Sequence, residues 1–132
     1  MPKAIICETN EEVQKFLVDY LKSAGFECFI FSNSKEVLNA IEDASLVVTA
    51  EQFNEIIEII SSLPMYQRRD IIVILLSTSI PTMDRLSAFA KGVDFIVNVK
   101  DINNFPAIFK RAYVEHQKTY KLFKETLSKL FY

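Results

Sequence analysis

Five times between Lys3 and the last residue, a short apolar run is followed by a segment in which apolar residues recur every three or four positions. The runs are Lys3–Cys7, Phe26–Phe31, Leu46–Val48, Ile71–Leu76 and Phe95–Val97 with Val99. Apart from Lys3 and Glu27 they are apolar rather than alternating, as strands of a sheet covered on both faces are. The segments between them have the helical period. Val13, Phe16, Leu17, Tyr20, Leu21 and Ala24 form one stripe over residues 11–24, with Asn10 as N-cap, Glu11 and Glu12 at the positive end of the helix dipole, and Gly25 after the last turn. A second helix begins at Ser32-Asn33-Ser34 and carries Val37, Leu38 and Ile41, and a third spans 52–62 with Phe53, Ile56, Ile57, Ile59 and Ile60. A fourth spans 83–91, capped by Thr82 and closed by Gly92, and a last one starts near Asn104 with Pro106 in its first turn. Strict β-α alternation with doubly buried strands predicts an α/β three-layer sandwich: a five-stranded parallel sheet with helices on both faces.

A chain of 132 residues fits a single domain, expected over 1–132. It has two glycines, Gly25 and Gly92, standing alone, which excludes a glycine-rich phosphate loop and a dinucleotide fingerprint. Cys7 and Cys28 sit inside apolar runs and read as small core residues; without a histidine cluster they make no zinc site. His116 is the only histidine and has no Ser/His/Asp or Cys/His arrangement around it. No secretory signal or membrane-length apolar run is present, and the expected location is cytoplasmic. The net charge of −2 gives no global pull toward nucleic acid. No enzymatic activity and no cofactor are expected.

In a parallel sheet of this kind, reactive groups gather at the carboxyl ends of the strands. Those ends are Glu8-Thr9-Asn10, Thr49-Ala50-Glu51, Ser77-Thr78 and Asn98-Val99-Lys100. Five alternating units with these strand ends resemble the receiver domain of bacterial two-component response regulators, over residues 3 to about 117. Gly92-Val-Asp-Phe-Ile resembles the family's signature before the fifth strand but lacks its aromatic residue at Ile96. The resemblance implies a flavodoxin-like (βα)5 fold with strand order 2-1-3-4-5 and a role in signal transduction. It also implies a site: an acidic pair holding Mg²⁺, an acceptor aspartate ending the third strand, a hydroxyl ending the fourth and a lysine ending the fifth. Hard carboxylate oxygens suit Mg²⁺, an acyl phosphate needs a carboxylate nucleophile, and the lysine and hydroxyl bind phosphate oxygens.

Carried over residue by residue, the site is degenerate. The acidic pair falls on Glu8 and Thr9, the acceptor on Ala50, the hydroxyl on Ser77 and the lysine on Lys100, one residue later than usual and followed by Asp101 instead of proline. The expectation is a pseudo-receiver without phosphorylation, a protein–protein interaction module of signalling origin. Glu8 is at most a weak metal ligand and reads more simply as a solvated strand-end residue; Lys100 reads as a surface lysine pairing Asp101. An alternative places Glu51 at the acceptor position, as nucleophile or as a permanent mimic of the phosphorylated charge. A flavodoxin-like ligand binder is a further alternative, opposed by the carboxylates of Glu8-Thr-Asn-Glu-Glu, which repel a phosphate. Arg68-Arg69 reads as a solvated loop pair.

The last helix is the anomaly. Phe105, Phe109, Ala112, His116, Tyr120, Phe123, Leu127 and Leu130 recur at nearly heptad spacing over 26 residues, about 39 Å if helical. Covering a sheet takes about half of that, so 118–132 reads as an extension that folds back, pairs with a second chain or meets another domain. Residues 105–132 hold six Lys/Arg against two Glu, whereas 1–104 hold nine against fifteen Asp/Glu. Basic residues flanking an apolar stripe point to a protein partner, with a homodimer expected through Phe109, Ala112, His116, Tyr120, Phe123, Leu127 and Leu130, rather than to nucleic acid or membrane.

Overall fold

The computed structural model describes the backbone of residues 2–31, 34–64, 67–68 and 70–131, and the side chains of these except 34, 38, 42 and 119–131. Its strands are β1 (Lys3–Cys7), β2 (Glu27–Ile30), β3 (Ala44–Ala50), β4 (Ile72–Ser77) and β5 (Phe95–Asn98). Its helices are α1 (Glu11–Ser23), α2 (Ser34–Ala40), α3 (Asn54–Ser61), α4 (Arg85–Lys91) and α5 (Phe105–Phe131), with 3-10 turns at Ile41–Asp43 and Val99–Asn104. The sheet is parallel with order β2-β1-β3-β4-β5, so the architecture implied by the strand pattern is the one observed. Register is fixed by pairs such as Ile5 with Phe29 and Val47, Val48 with Ile74, and Leu75 with Ile96.

Four of the five strands bury both faces; β2, at the sheet edge, does not, with Glu27 and Ile30 exposed and Cys28 and Phe29 half-buried. Ile5, Cys7, Val47, Val73, Leu75 and Ile96 meet Val37 of α2, Ile56 and Ile60 of α3 and Ala88 of α4. Their neighbours in sequence, among them Ala4, Ile6, Leu46, Val48, Ile74, Leu76 and Val97, meet Leu17 and Leu21 of α1 and Phe105 and Phe109 of α5. The two-residue period of a strand thus sends alternate side chains into two separate cores. On the second face the joint is aromatic. Tyr20 lies edge-on to Phe105 and Phe109, with ring centroids 5.9 and 6.0 Å apart, and Phe26 lies edge-on to Phe109 at 5.8 Å.

Helix boundaries follow side-chain caps. Asn10 caps α1 by accepting from the N–H groups of Glu12 and Val13. Asp84, not Thr82, caps α4: its Oδ1 accepts from the Ser87 N–H at 3.0 Å, and the helix starts at Arg85 rather than 83. The proposed cap at Ser32-Asn33 lies outside the described residues, and α3 is shorter than 52–62, with Phe53 at its N-cap. Gly92 closes α4 with φ +74°, a left-handed position that favours glycine, and Gly25 does the same after α1 at φ +96°.

Burial pushes the Cys7 thiol up to about 12, and burial also raises the half-buried Cys28, partly offset by Lys22. A thiolate is the reactive form, so Cys7 is inert at pH 8. An aromatic disulfide reagent at that pH is expected to leave Cys7 unmodified in the folded Cys28→Ser variant and to modify it fully once the chain is unfolded in denaturant. Rapid modification of the folded variant would contradict this packing.

Candidate functional site

The strand-end residues converge as the topology requires, but their polar groups are directed at one another. Glu8 follows β1 and is only 7% exposed, so it is not the solvated residue the sequence suggests. Its Oε1 accepts from the N–H groups of Thr9 at 2.8 Å and Asn10 at 3.1 Å, and its carbonyl accepts from the Gln14 amide. Thr9 lends its hydroxyl oxygen to Gln52 Nε2 at 2.9 Å, joining the loop after β1 to the loop after β3.

Ala50 ends β3 and pairs with Leu76, and it is buried. Glu51 lies one residue past the strand, in the turn. Its Oε1 accepts from the Thr78 N–H at 3.0 Å, joining the loop after β3 to the loop after β4. Ser77 is fully buried at the end of β4, and its Oγ accepts from the N–H groups of Ser79 at 3.2 Å and Ile80 at 2.9 Å. The hydroxyl expected to face a ligand folds its own loop instead.

β5 ends at Asn98, opposite Ser77, and Val99 and Lys100 belong to the 3-10 turn. Asn98 Nδ2 donates to the Ile80 carbonyl at 3.0 Å, and its Oδ1 accepts from the Lys100 N–H at 3.0 Å. The Thr82 hydroxyl accepts from the Asn98 N–H at 2.9 Å and donates to Asp101 Oδ2. Asp101 therefore serves Thr82, and Lys100, exposed, makes no ion pair with it. Asn98 is among the strand ends read from the sequence; Thr82, read there as a helix cap, instead joins Asn98 to Asp101; and Gln52 carries no sequence signal.

The donor set does not fit Mg²⁺. The position beside Glu8 is a threonine, the Ala50 side chain offers no oxygen and its carbonyl already accepts from the Phe53 N–H, and Glu8 Oε1 already faces two N–H groups. No cluster of three or more His, Cys, Asp or Glu able to hold a metal occurs among the described residues.

At the opposite end of the sheet, Arg68 is not solvated. Its Nη1 pairs with Asp94 Oδ2 at 3.2 Å and donates to the Ile71 carbonyl at 3.0 Å, while Nη2 reaches the Gly92 carbonyl at 3.3 Å. Asp94 Oδ2 also accepts from the Val73 N–H at 2.8 Å. Arg69 lies outside the described residues.

The seam assigned to a partner divides in two. Phe109 and Ala112 are buried in the chain's own core and are corrected out of the interface: a stripe of heptad spacing serves a sheet as well as a second helix. His116 is half-buried in a hollow shared with Phe26, Ser45, Asp70 and Tyr113. Burial holds its imidazole below the ordinary range, against an upward pull from Asp94. The side chains of Tyr120, Phe123, Leu127 and Leu130 lie outside the described residues, but the backbone of α5 is helical through Phe131.

No family model and no curated protein sequence matches the chain. Solved structures do match in fold. A CheY-like receiver domain protein from Methanospirillum hungatei superposes with a TM-score of 0.67 at 14% identity, covering 90% of this chain and 98% of that one. The chemotaxis response regulator CheY4 of Vibrio cholerae gives 0.67 at 14% identity, with 85% and 98% covered. The receiver domain of Francisella response regulator 1452 gives 0.65 at 17% identity, with 90% and 99% covered. The fold is that of response-regulator receiver domains.

Proposed function

We propose that this chain is a phosphorylation-independent interaction module on a receiver scaffold, which associates with a second copy through the extended half of α5. Ala50 carries the reading: the last residue of the third strand, where the resemblance puts the acceptor, has a methyl group and no nucleophile. Two further features support it. The neighbouring hydroxyl, amide and carboxylate groups are engaged in bonds within and between the strand-end loops. Ile96, at the position of the family's aromatic residue, is fully buried in the core, which favours one fixed arrangement of the β4–β5 region.

Incubation with a small phosphodonor and Mg²⁺, followed by intact-mass measurement, is expected to show no added phosphoryl group. A second reading is favoured by the contact of Glu51 with the Thr78 N–H, which holds a carboxylate beside the vacated acceptor position. Labelling that disappears in Glu51→Gln would replace the first reading with a receiver using Glu51; labelling that persists in that variant would place the acceptor elsewhere and refute both.

A further inference from the structure

The stripe of α5 that faces the sheet runs Phe105, Phe109, Ala112, His116 and grows less buried toward its end: the first three are buried and His116 is half-buried. Gln117 and Lys118, which follow, are exposed. His116 is thus the last side chain of the described stripe that the domain holds, at the root of the helical extension. It sits in a hollow of about 170 Å³ with Phe26, Ser45, Asp70 and Tyr113, at the amino end of the sheet and away from the strand-end site. Its Nδ1 is shut off from solvent.

A neutral imidazole suits such a place better than an imidazolium, because the charged ring donates from both nitrogens and loses hydration when enclosed. The groups around it do not restore the balance. Asp94 draws a proton toward the ring, but its carboxylate already serves Arg68 and the Val73 N–H. Asp70, exposed, draws in the same sense, and Arg68 opposes both. Pro2, Phe26, Ser45 and Ile72, which lie in or just ahead of the first four strands, bring no charge, and α5 itself adds the Tyr113 phenol and the Gln117 amide. Enclosure outweighs the two carboxylates, so folding makes the ring harder to protonate.

We propose that His116 is an acid-released anchor. Neutral, it holds the final docked turn of α5 against the amino end of the sheet. On gaining a proton it leaves the hollow for solvent, and the turn around it comes away. Phe105 and Phe109 keep the first turns in place, through ring contacts with Tyr20 and with each other that acid does not alter. A ring that resists protonation in the folded chain contributes its full stability above the ordinary histidine value of 6.5 and loses it as the pH falls below that value. The proposal stands apart from self-association and from the loss of the acceptor at Ala50.

The test is backbone hydrogen exchange of the full chain and of full-length His116→Gln, whose side chain is polar and does not titrate. Each rate is divided by that of an unstructured peptide at the same pH, which leaves the protection due to structure. The comparison runs from about pH 7.5 to about pH 5.5, a window that crosses the histidine range and leaves carboxylates ionised. In the wild type, protection over residues 113–117 is expected to fall about threefold or more relative to that over 106–111, and in His116→Gln the ratio is expected to hold. A smaller fall in the wild type, or an equal fall in the variant, overturns the proposal. The chain has one histidine, which gives a second measurement needing no variant. Its ring-proton NMR signal is expected to titrate with a midpoint below that of the urea-unfolded chain, and an equal or higher midpoint overturns the anchor.

Discussion

Phe105→Ala is expected to remove about 3–5 kcal/mol of folding stability. Phe105 is fully buried at the first turn of α5 and touches both halves of its aromatic joint. Its ring stacks on Phe109 at 5.8 Å and meets Tyr20 edge-on at 5.9 Å. Truncation therefore loses the transfer energy of a benzyl group, leaves a cavity in the core that Phe105 shares with α1, and breaks two ring contacts of about 0.5–1.5 kcal/mol each already within that total. Domains of this size hold roughly 5–15 kcal/mol in all, so the variant stands near the threshold of folding. Urea denaturation checks it: the midpoint should fall sharply while the slope stays constant. A loss under about 1 kcal/mol would mean that α5 does not depend on this anchor.

The second large effect is at Asp94. Asp94→Ala is expected to cost about 2–3 kcal/mol, because one carboxylate oxygen serves both the Val73 N–H and the Arg68 guanidinium. The Val73 N–H is inside the sheet and has no water to turn to, and Arg68 loses the partner that keeps it across the start of β4 and β5. Asp94 and Arg68 side chains are 25% and 21% exposed, so their attraction is only partly screened. Asp94→Asn retains an oxygen for Val73 and should recover at least half of the loss. Equal losses in Asn and Ala, measured by the same denaturation, would show that the ion pair alone matters and that the backbone hydrogen bond contributes nothing.

The sheet was legible because its information is local. Apolar runs declare the strands, four of the five buried on both faces, and Asn10, Gly25 and Gly92 mark helix ends with chemistry that acts over one turn. That Ala50 closes the third strand was legible for the same reason, since it ends a continuous run that has to be β3. What the sequence concealed is the cross-bracing. Gln52 and Thr9 are 43 residues apart, Thr82 and Asp101 are 19 apart, and Asn98 and Ile80 are 18 apart. Those pairs exist because of register between strands, and no periodicity within one segment encodes them. The last seam misled for a related cause. Helical spacing shows that Phe109 and Ala112 share a stripe with Tyr120 and Phe123, but it does not say where the sheet beneath that stripe ends.

The unbroken course of α5 couples reach to bearing. Each residue of such a rod advances its tip by about 1.5 Å and rotates it by about 100°. Loss of one residue beyond Gln117 would barely shorten the arm, yet it would swing everything past that point more than a quarter turn about the axis. A partner held at the far end, as proposed above, would be set in orientation to a sheet it never touches by the phase of the arm more than by its length.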